Sequence, residues 1–230
     1  MALKPPVKLN FSRFEYKYLL PVFVAESVIA RMAILMKPDF FNSSGPYIVR
    51  SLYFDSPDLQ FYREKIEGDF VRKKIRLRSY GEDLKDPIYF EVKNKFADRI
   101  CKDRFLINSD DYHNAVFSKP RFLLSQENKS VCRDVWYLWH YYNLSPRAVV
   151  KYERLSFIDE LSECKVSFDK NIRVKQASGL FEKNLMFSKI KDSVIMEIKF
   201  NCLIPRDIID VIREYSLERI SISKYALSFK

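Results

Sequence analysis

Glycine is scarce, with four residues in 230, at positions 45, 68, 81 and 179. They spell neither a G-x-x-x-x-G-K loop nor a G-x-G-x-x-G turn, which excludes the nucleotide sites built on a phosphate-cradling glycine loop. Histidine is scarcer. His113 sits in a polar run with no partner in sequence, and His140 falls in the aromatic run VCRDVWYLWHYY, where it and Trp136 are expected to serve packing rather than chemistry. Cys101, Cys132, Cys164 and Cys202 never approach CxxC spacing, which fits a reducing interior. No apolar run reaches the roughly 20 residues of a membrane span, and the start, MALKPPVKLN, has no apolar signal core. Linkers, repeats, low-complexity segments, helix-turn-helix, finger and RNP motifs are also missing. A cytoplasmic chain forming a single domain over residues 1–230 is therefore expected, without sequence-specific nucleic-acid binding.

The residues that are abundant point the other way. Nineteen Phe and 14 Tyr within a 47% hydrophobic composition favour strands and a packed core. Forty Lys and Arg against 30 Asp and Glu give a formal net charge of +10, so an anionic partner is expected. Nucleic acid, nucleotide, polyphosphate and acidic membrane all remain open on charge alone.

The stretch over 70–95, FVRKKIRLRSYGEDLKDPIYFEVKNK, organises the rest. At the strand period of two, Arg72, Lys74, Arg76 and Arg78 share one face, with Val71, Ile75 and Leu77 on the other. After a polar turn at 81–86, Tyr89, Glu91, Lys93 and Lys95 oppose Ile88, Phe90, Val92 and Phe96. The same design recurs over 11–20, with Arg13, Glu15 and Lys17 on one face, and over 47–55. It continues over 100–107 with Lys102 and Arg104, over 147–159 with Lys151, Glu153 and Arg154, over 163–169 with Glu163, Lys165 and Ser167, and over 194–200 with Glu197 and Lys199. Helices are expected over 21–36, where Val22, Ala25, Ile29 and Ala30 share a face, and after Ser56, with Pro57 in the first turn. Further helix is expected within 109–143 and from Pro205 through Ile212.

About eight strands of one polarity are the number that closes a small barrel. One solvated hairpin would need no further explanation. Eight argue for an α+β fold: an eight-stranded antiparallel barrel with a charged lumen, its apolar face packed against outer helices. Buried charges must be paired or liganded, so the lumen predicts a ligand. Glu15, Glu91, Glu153 and Glu197 alternate with Arg13, Lys17, Arg76, Arg78, Lys93, Lys102, Arg154 and Lys165. Arginine forks and lysine ammonium groups suit phosphate oxygens, and carboxylates suit a hard divalent ion that bridges phosphates. Phosphoryl transfer requires little beyond positioning and charge neutralisation.

An ordered set of motifs then carries a resemblance. The runs are RFEYKYLLP (13–21), SLYFDSPDLQFYREKIEG (51–68), KIRLRSYG (74–81), FEVKNK (90–95), KYERLSF (151–157), VSFDKNIR (166–173), MEIKF (196–200) and SISKYALSF (221–229). Together they resemble the VTC-domain branch of the triphosphate tunnel metalloenzyme superfamily, the bacterial polyphosphate polymerase-like proteins. The resemblance implies a tunnel that binds ATP and a polyphosphate or triphosphate chain, with a Mn or Mg ion held by Glu197. Lys17, Arg76, Arg78, Lys93, Lys102, Arg154, Lys165, Ser223 and Lys224 would contact phosphates, and Arg76, Arg78, Lys93, Lys224 and Glu197 would carry catalysis. The implied activity moves the γ-phosphoryl of ATP onto a growing chain. A metal-dependent triphosphatase and a non-catalytic polyphosphate-binding module are the alternatives. Three departures stand out: Arg13 where the superfamily pattern has a glutamate, Lys165 where an arginine is usual, and Ser221 where the polymerase branch has a lysine. Each lumen cation could instead serve in a salt bridge, such as Lys93 with Glu91 or Arg154 with Glu153.

Overall fold

The computed structural model describes residues 11–42, 45–124 and 129–229. The segment MALKPPVKLN, which lacks an apolar signal core in sequence, lies outside the described residues. The alternating stretches form β1 (Phe11–Pro21), β2 (Tyr47–Asp55), β3 (Val71–Ser79), β4 (Ile88–Phe96) and β5 (Arg99–Ile107), then β6 (Ser145–Asp159), β7 (Cys164–Gln176) and β8 (Ser193–Phe200). Each pairs antiparallel with its neighbours in the order β1–β5–β4–β3–β2–β6–β7–β8, and β8 returns to β1. The sheet is thereby closed into the expected eight-stranded antiparallel tunnel, with no free edge between these strands.

Helices cover the apolar side of the barrel. Leu52, Phe54, Ile75, Leu77, Phe90 and Val92 of β2–β4 pack on α3 (Ser109–Phe117), a 3-10 turn at Arg121–Leu124 and α4 (Lys129–Tyr141). Tyr18, Leu20, Val166, Phe168, Met196 and Ile198 of β1, β7 and β8 pack on α1 (Val22–Leu35) and α5 (Arg206–Glu214). Each fully buried Leu, Ile or Phe contributes about 1.5–3 kcal/mol. The driving force for closure therefore lies outside the barrel, and the inside is released for polar residues.

Several local expectations are corrected. The inner face of α1 is Ala25, Val28 and Met32, whereas Val22 and Ala30 are exposed. The expected helix over 109–143 is two helices, and residues 125–128 between them lie outside the described residues. His140 is exposed, stacked near Trp136 with its Nδ1 2.8 Å from the Trp136 carbonyl, and Trp139 is the residue buried in the core. The strand expected over 163–169 continues to Gln176 through a bulge, with Asn171 at φ 54° in the left-handed region.

The helix after Ser56 starts later than expected, as α2 (Gln60–Glu67), because Leu59 takes a left-handed conformation. Ser56 still serves it, its Oγ accepting from the Gln60 amide at 2.8 Å. The main cap is Asp55 at the end of β2. Its fully buried carboxylate accepts from the amides of Ser56 (2.8 Å), Phe61 (2.9 Å) and Tyr62 (3.0 Å) and from the Tyr225 hydroxyl (2.6 Å). One side chain thus ties a barrel strand, α2 and the C-terminal segment together. Asp55→Ala leaves these four donors without their acceptor and is expected to destabilise by about 3 kcal/mol, against about 1–2 kcal/mol for Tyr225→Phe. Urea unfolding at unchanged m-value measures both.

Candidate functional site

The inward faces of the strands line a cavity of about 500 Å³. A second, of about 260 Å³, shares Glu15, Lys17, Lys74, Lys93 and Ile100 with it, so the two are successive segments of one passage. Along β3 the passage runs from Arg72 past Lys74, Arg76 and Arg78 to Tyr80. Eight residues of strand correspond to about 26 Å.

Register brings like charges together. Lys74, Lys93 and Lys102 lie side by side across β3, β4 and β5, an arrangement that costs stability in a sheet unless an anion intervenes. The adjoining row is Arg76, Glu91 and Arg104. Fully buried Glu91 is the hub of this level. Arg76 meets its Oε2 through Nε (2.8 Å) and Nη2 (2.6 Å), Lys102 Nζ meets its Oε1 at 2.7 Å, and Arg104 and Arg78 approach to 3.6 and 3.8 Å. Burial pushes the Glu91 carboxyl up, but Lys102, Arg76 and Arg78 outweigh it and hold the group well below the usual carboxylate range. The arginines are braced from behind as well. Arg76 Nη1 donates to the Tyr53 hydroxyl (3.1 Å), and Arg78 donates to Ser51 Oγ (3.1 Å) and the Tyr152 hydroxyl (3.2 Å).

A second level surrounds Glu15 and Glu197. Lys17 Nζ lies 2.9 Å from Glu15 and 3.8 Å from Glu197, Lys93 Nζ is 2.7 Å from Glu15, and Lys199 Nζ is 2.6 Å from Glu197. Burial and the neighbouring Glu197 push Glu15 up, and Lys17, Lys93 and Lys199 more than reverse this. Glu197 is likewise held low by Lys199, Lys17 and Lys224 against its burial. Lys224 Nζ bridges Asp169 (2.6 Å) and Glu197 (3.9 Å).

Of the residues named from sequence, Lys17, Arg76, Arg78, Lys93, Lys102, Glu197 and Lys224 line the larger cavity. Three others lie behind or beside the lining. Arg154 makes a two-pronged pair with buried Asp169 at 2.6 and 2.7 Å, not with Glu153. Lys165 is paired with Asp39, and Ser223 Oγ accepts from Lys74 Nζ at 2.8 Å. Lys93 pairs with Glu15 rather than with Glu91. Glu153 does not face the lumen: it pairs with Lys170 and accepts from Asn171 on the outer side. Sequence reading also passed over Asp169, Tyr53 and Tyr152. Asp169 continues the alternation of Lys165 and Ser167 along β7, so the period of two was the signal for it. Tyr53 and Tyr152 look like core residues by type.

Among the described residues no three His, Cys, Asp or Glu side chains converge as an all-protein metal site. A divalent ion that takes most of its oxygens from phosphates and water needs only one or two carboxylates. Glu197 and Glu15, which face the same cavity and share Lys17 as a partner, fit that requirement. Glu91 does not fit, because it is fully buried behind the cations it gathers and is not among the residues lining the cavity.

The chain belongs to the VTC-domain family, whose match spans residues 12–230. No curated protein matches it. A crystal structure of a Bacillus halodurans protein proposed to be an adenylate cyclase superposes with a TM-score of 0.57 at 11% identity, over 92% of this chain and 93% of that one. The PH1012 protein of Pyrococcus horikoshii gives 0.48 at 16% identity, over 94% and 98%. Identities this low speak to the fold alone. No helix among the described residues is long and apolar enough to cross a membrane.

The cation excess leaves a titration signature. Burial lowers Lys102, and although Glu91 and Tyr80 oppose this, its ammonium is brought down to about 8. Burial and Glu91 raise Tyr80, but Arg78, Lys102 and Arg104 bring it down to about 7. Lys74 is lowered by burial and by Lys17, Lys93 and Arg76. A polyanion in the passage favours the protonated form of all three groups, so its binding takes up protons. Tripolyphosphate affinity is expected to fall as pH rises from 7 to 9, and calorimetry at pH 8 in two buffers of different ionisation enthalpy should register net proton uptake.

Proposed function

We propose that this VTC-domain chain is a metal-dependent polyphosphate polymerase. The γ-phosphorus of ATP is attacked by a terminal oxygen of a polyphosphate chain, the bond from that phosphorus to the ADP oxygen breaks, ADP leaves, and the chain is one phosphate longer. One observation carries the reading: the run of cations extends through both cavities, from Arg72 and Lys95 at one end to Arg104 at the other. That is longer than the three phosphates of a nucleotide require, and it offers room for a donor and an acceptor chain in line.

In this reading Arg76, Arg78, Lys93 and Lys224 hold the transferring phosphoryl group and its neighbours. Their positions are fixed before the anion arrives, by Glu91, Tyr53, Tyr152, Glu15 and Asp169, so charge developing in the transition state meets a preorganised site. Lys17 and Lys102 extend the phosphate path. Arg154 acts through Asp169 as a positioning residue for Lys224, and Ser223 does the same for Lys74. Glu197, with Glu15 beside it, would hold a Mn or Mg ion, which when bound supplies charge neutralisation between phosphates. Lys199 is the natural counter-ion of Glu197 when the passage holds no phosphate.

The test is incubation of the purified protein with ATP and Mn, with products separated on a gel. Long chains with ADP are expected, and Glu197→Gln is expected to abolish them with an unchanged circular dichroism spectrum. Free phosphate without chains would point to a triphosphatase, and no turnover to a polyphosphate-binding module. Arg76→Ala should weaken tripolyphosphate binding by about 2–3 kcal/mol, the order of a charge-assisted hydrogen bond, as read by titration calorimetry.

A further inference from the structure

The two ends of the passage differ in chemistry. At the Arg72 end, the second cavity is lined by Lys65, Arg72, Lys95 and Arg219, with isoleucines but no aromatic ring. The Arg104 end is ringed by Phe40, Phe41, Tyr80 and Tyr89. Phe41 stacks on Tyr80 with centroids 5.6 Å apart and planes 11° apart, and Phe40 meets Phe41 edge-on at 5.7 Å. Tyr80 meets Tyr89 at 6.0 Å, and the Arg104 guanidinium lies 3.5 Å over the Tyr89 ring. Such a cluster could be ordinary packing, but Phe40 is 58% and Phe41 50% exposed, so their outer faces are presented to the cavity mouth rather than buried.

The turn that carries them is fixed in place. The buried Asn42 side chain donates to the Ser156 carbonyl, and the Asp39 amide donates to the same carbonyl at 2.9 Å. The Asp39 carboxylate accepts from the Phe40 amide at 2.9 Å and is paired with Lys165 on β7. Lys165, which the resemblance would make a phosphate contact, thus anchors the aromatic turn to the barrel.

A ligand complementary to the whole passage has a flat aromatic group at one end and a linear polyanion at the other. Resting on the polymerase reading for the identity of the anion, we infer that the Phe40–Phe41–Tyr80–Tyr89 mouth is a stacking platform for the base of the nucleoside triphosphate. The tunnel is thereby given a direction. The nucleotide enters base-outward at the aromatic end with its phosphates over Arg104, Lys102, Arg76 and Arg78. The growing chain occupies the Lys74 and Lys93 region and leaves past Lys95 and Arg72. Ring faces read a base by stacking, and inorganic chains gain nothing from them.

Calorimetric titration with ATP and with tripolyphosphate separates the two halves of the ligand. The double variant Phe40→Ala, Phe41→Ala is expected to bind ATP about ten-fold more weakly than the parent protein and tripolyphosphate equally well. Phe40→Leu, Phe41→Leu, which keeps the bulk of both residues, is expected to show the same selective loss. Equal loss for both anions, or unchanged ATP binding, would overturn the platform. Either of those results leaves polymerase activity intact as a separate matter, since that reading fails only if the parent protein makes no chains from ATP. A parent protein that binds neither anion overturns both readings.

Discussion

Placing several cations inside a barrel is expensive, because each loses several kcal/mol of hydration that only an anion can restore. This chain supplies part of that restoration itself. Glu91 gathers Arg76, Arg78, Lys102 and Arg104 at one level, and Glu15, Glu197 and Asp169 gather Lys17, Lys93, Lys199, Lys224 and Arg154 at the next. The carboxylates are too few to neutralise the cations, and burial, with the neighbouring cations adding to it, holds the ammonium groups of Lys74, Lys93 and Lys102 below their ordinary value. The passage is built to be completed by a polyanion.

The architecture makes that imbalance tolerable. The apolar faces of the strands turn outward and are buried under α1 and α5 on one side and α3 and α4 on the other. Closure of the sheet gives each of the eight strands a paired neighbour on both sides without help from the lumen. The inside is not uniformly charged, however. Val49, Ala148, Val150, Ile172, Val174 and Ile195 pack around Tyr225 and Leu227 of the C-terminal segment, and the tyrosines Tyr53 and Tyr152 at the edge of this cluster brace Arg76 and Arg78. An apolar inner wall thus braces the lumen-facing arginines. The Asp55 cap joins the same C-terminal segment to α2.

Much of this was legible in the sequence because a strand's period of two is strict. The alternation of Arg72, Lys74, Arg76 and Arg78 against Val71, Ile75 and Leu77 needs only local geometry, and it assigned the inward residues of β1, β3, β4, β5 and β8. What failed were properties set by long-range pairing. Glu153 was assigned inward with Arg154, although neighbours on a strand face opposite ways, and the true partner, Asp169, comes from the adjacent strand. The motif of Lys165 gives no sign of its pairing with Asp39, which lies 126 residues away. The late start of α2 followed from a left-handed Leu59, a residue whose side chain gives no warning of that conformation. His140 and Trp136 were taken as core on hydrophobicity, and the helical period places Cys132, Val135 and Trp139 inward instead.

The most direct measurement is a crystal structure of the protein grown with tripolyphosphate and manganese. The account predicts phosphates in the passage within hydrogen-bonding reach of Arg76, Arg78, Lys93 and Lys224, with the Lys199–Glu197 pair opened and the ion on Glu197. Phosphates bound only on the outer surface, with the lumen ion pairs unchanged, would contradict it.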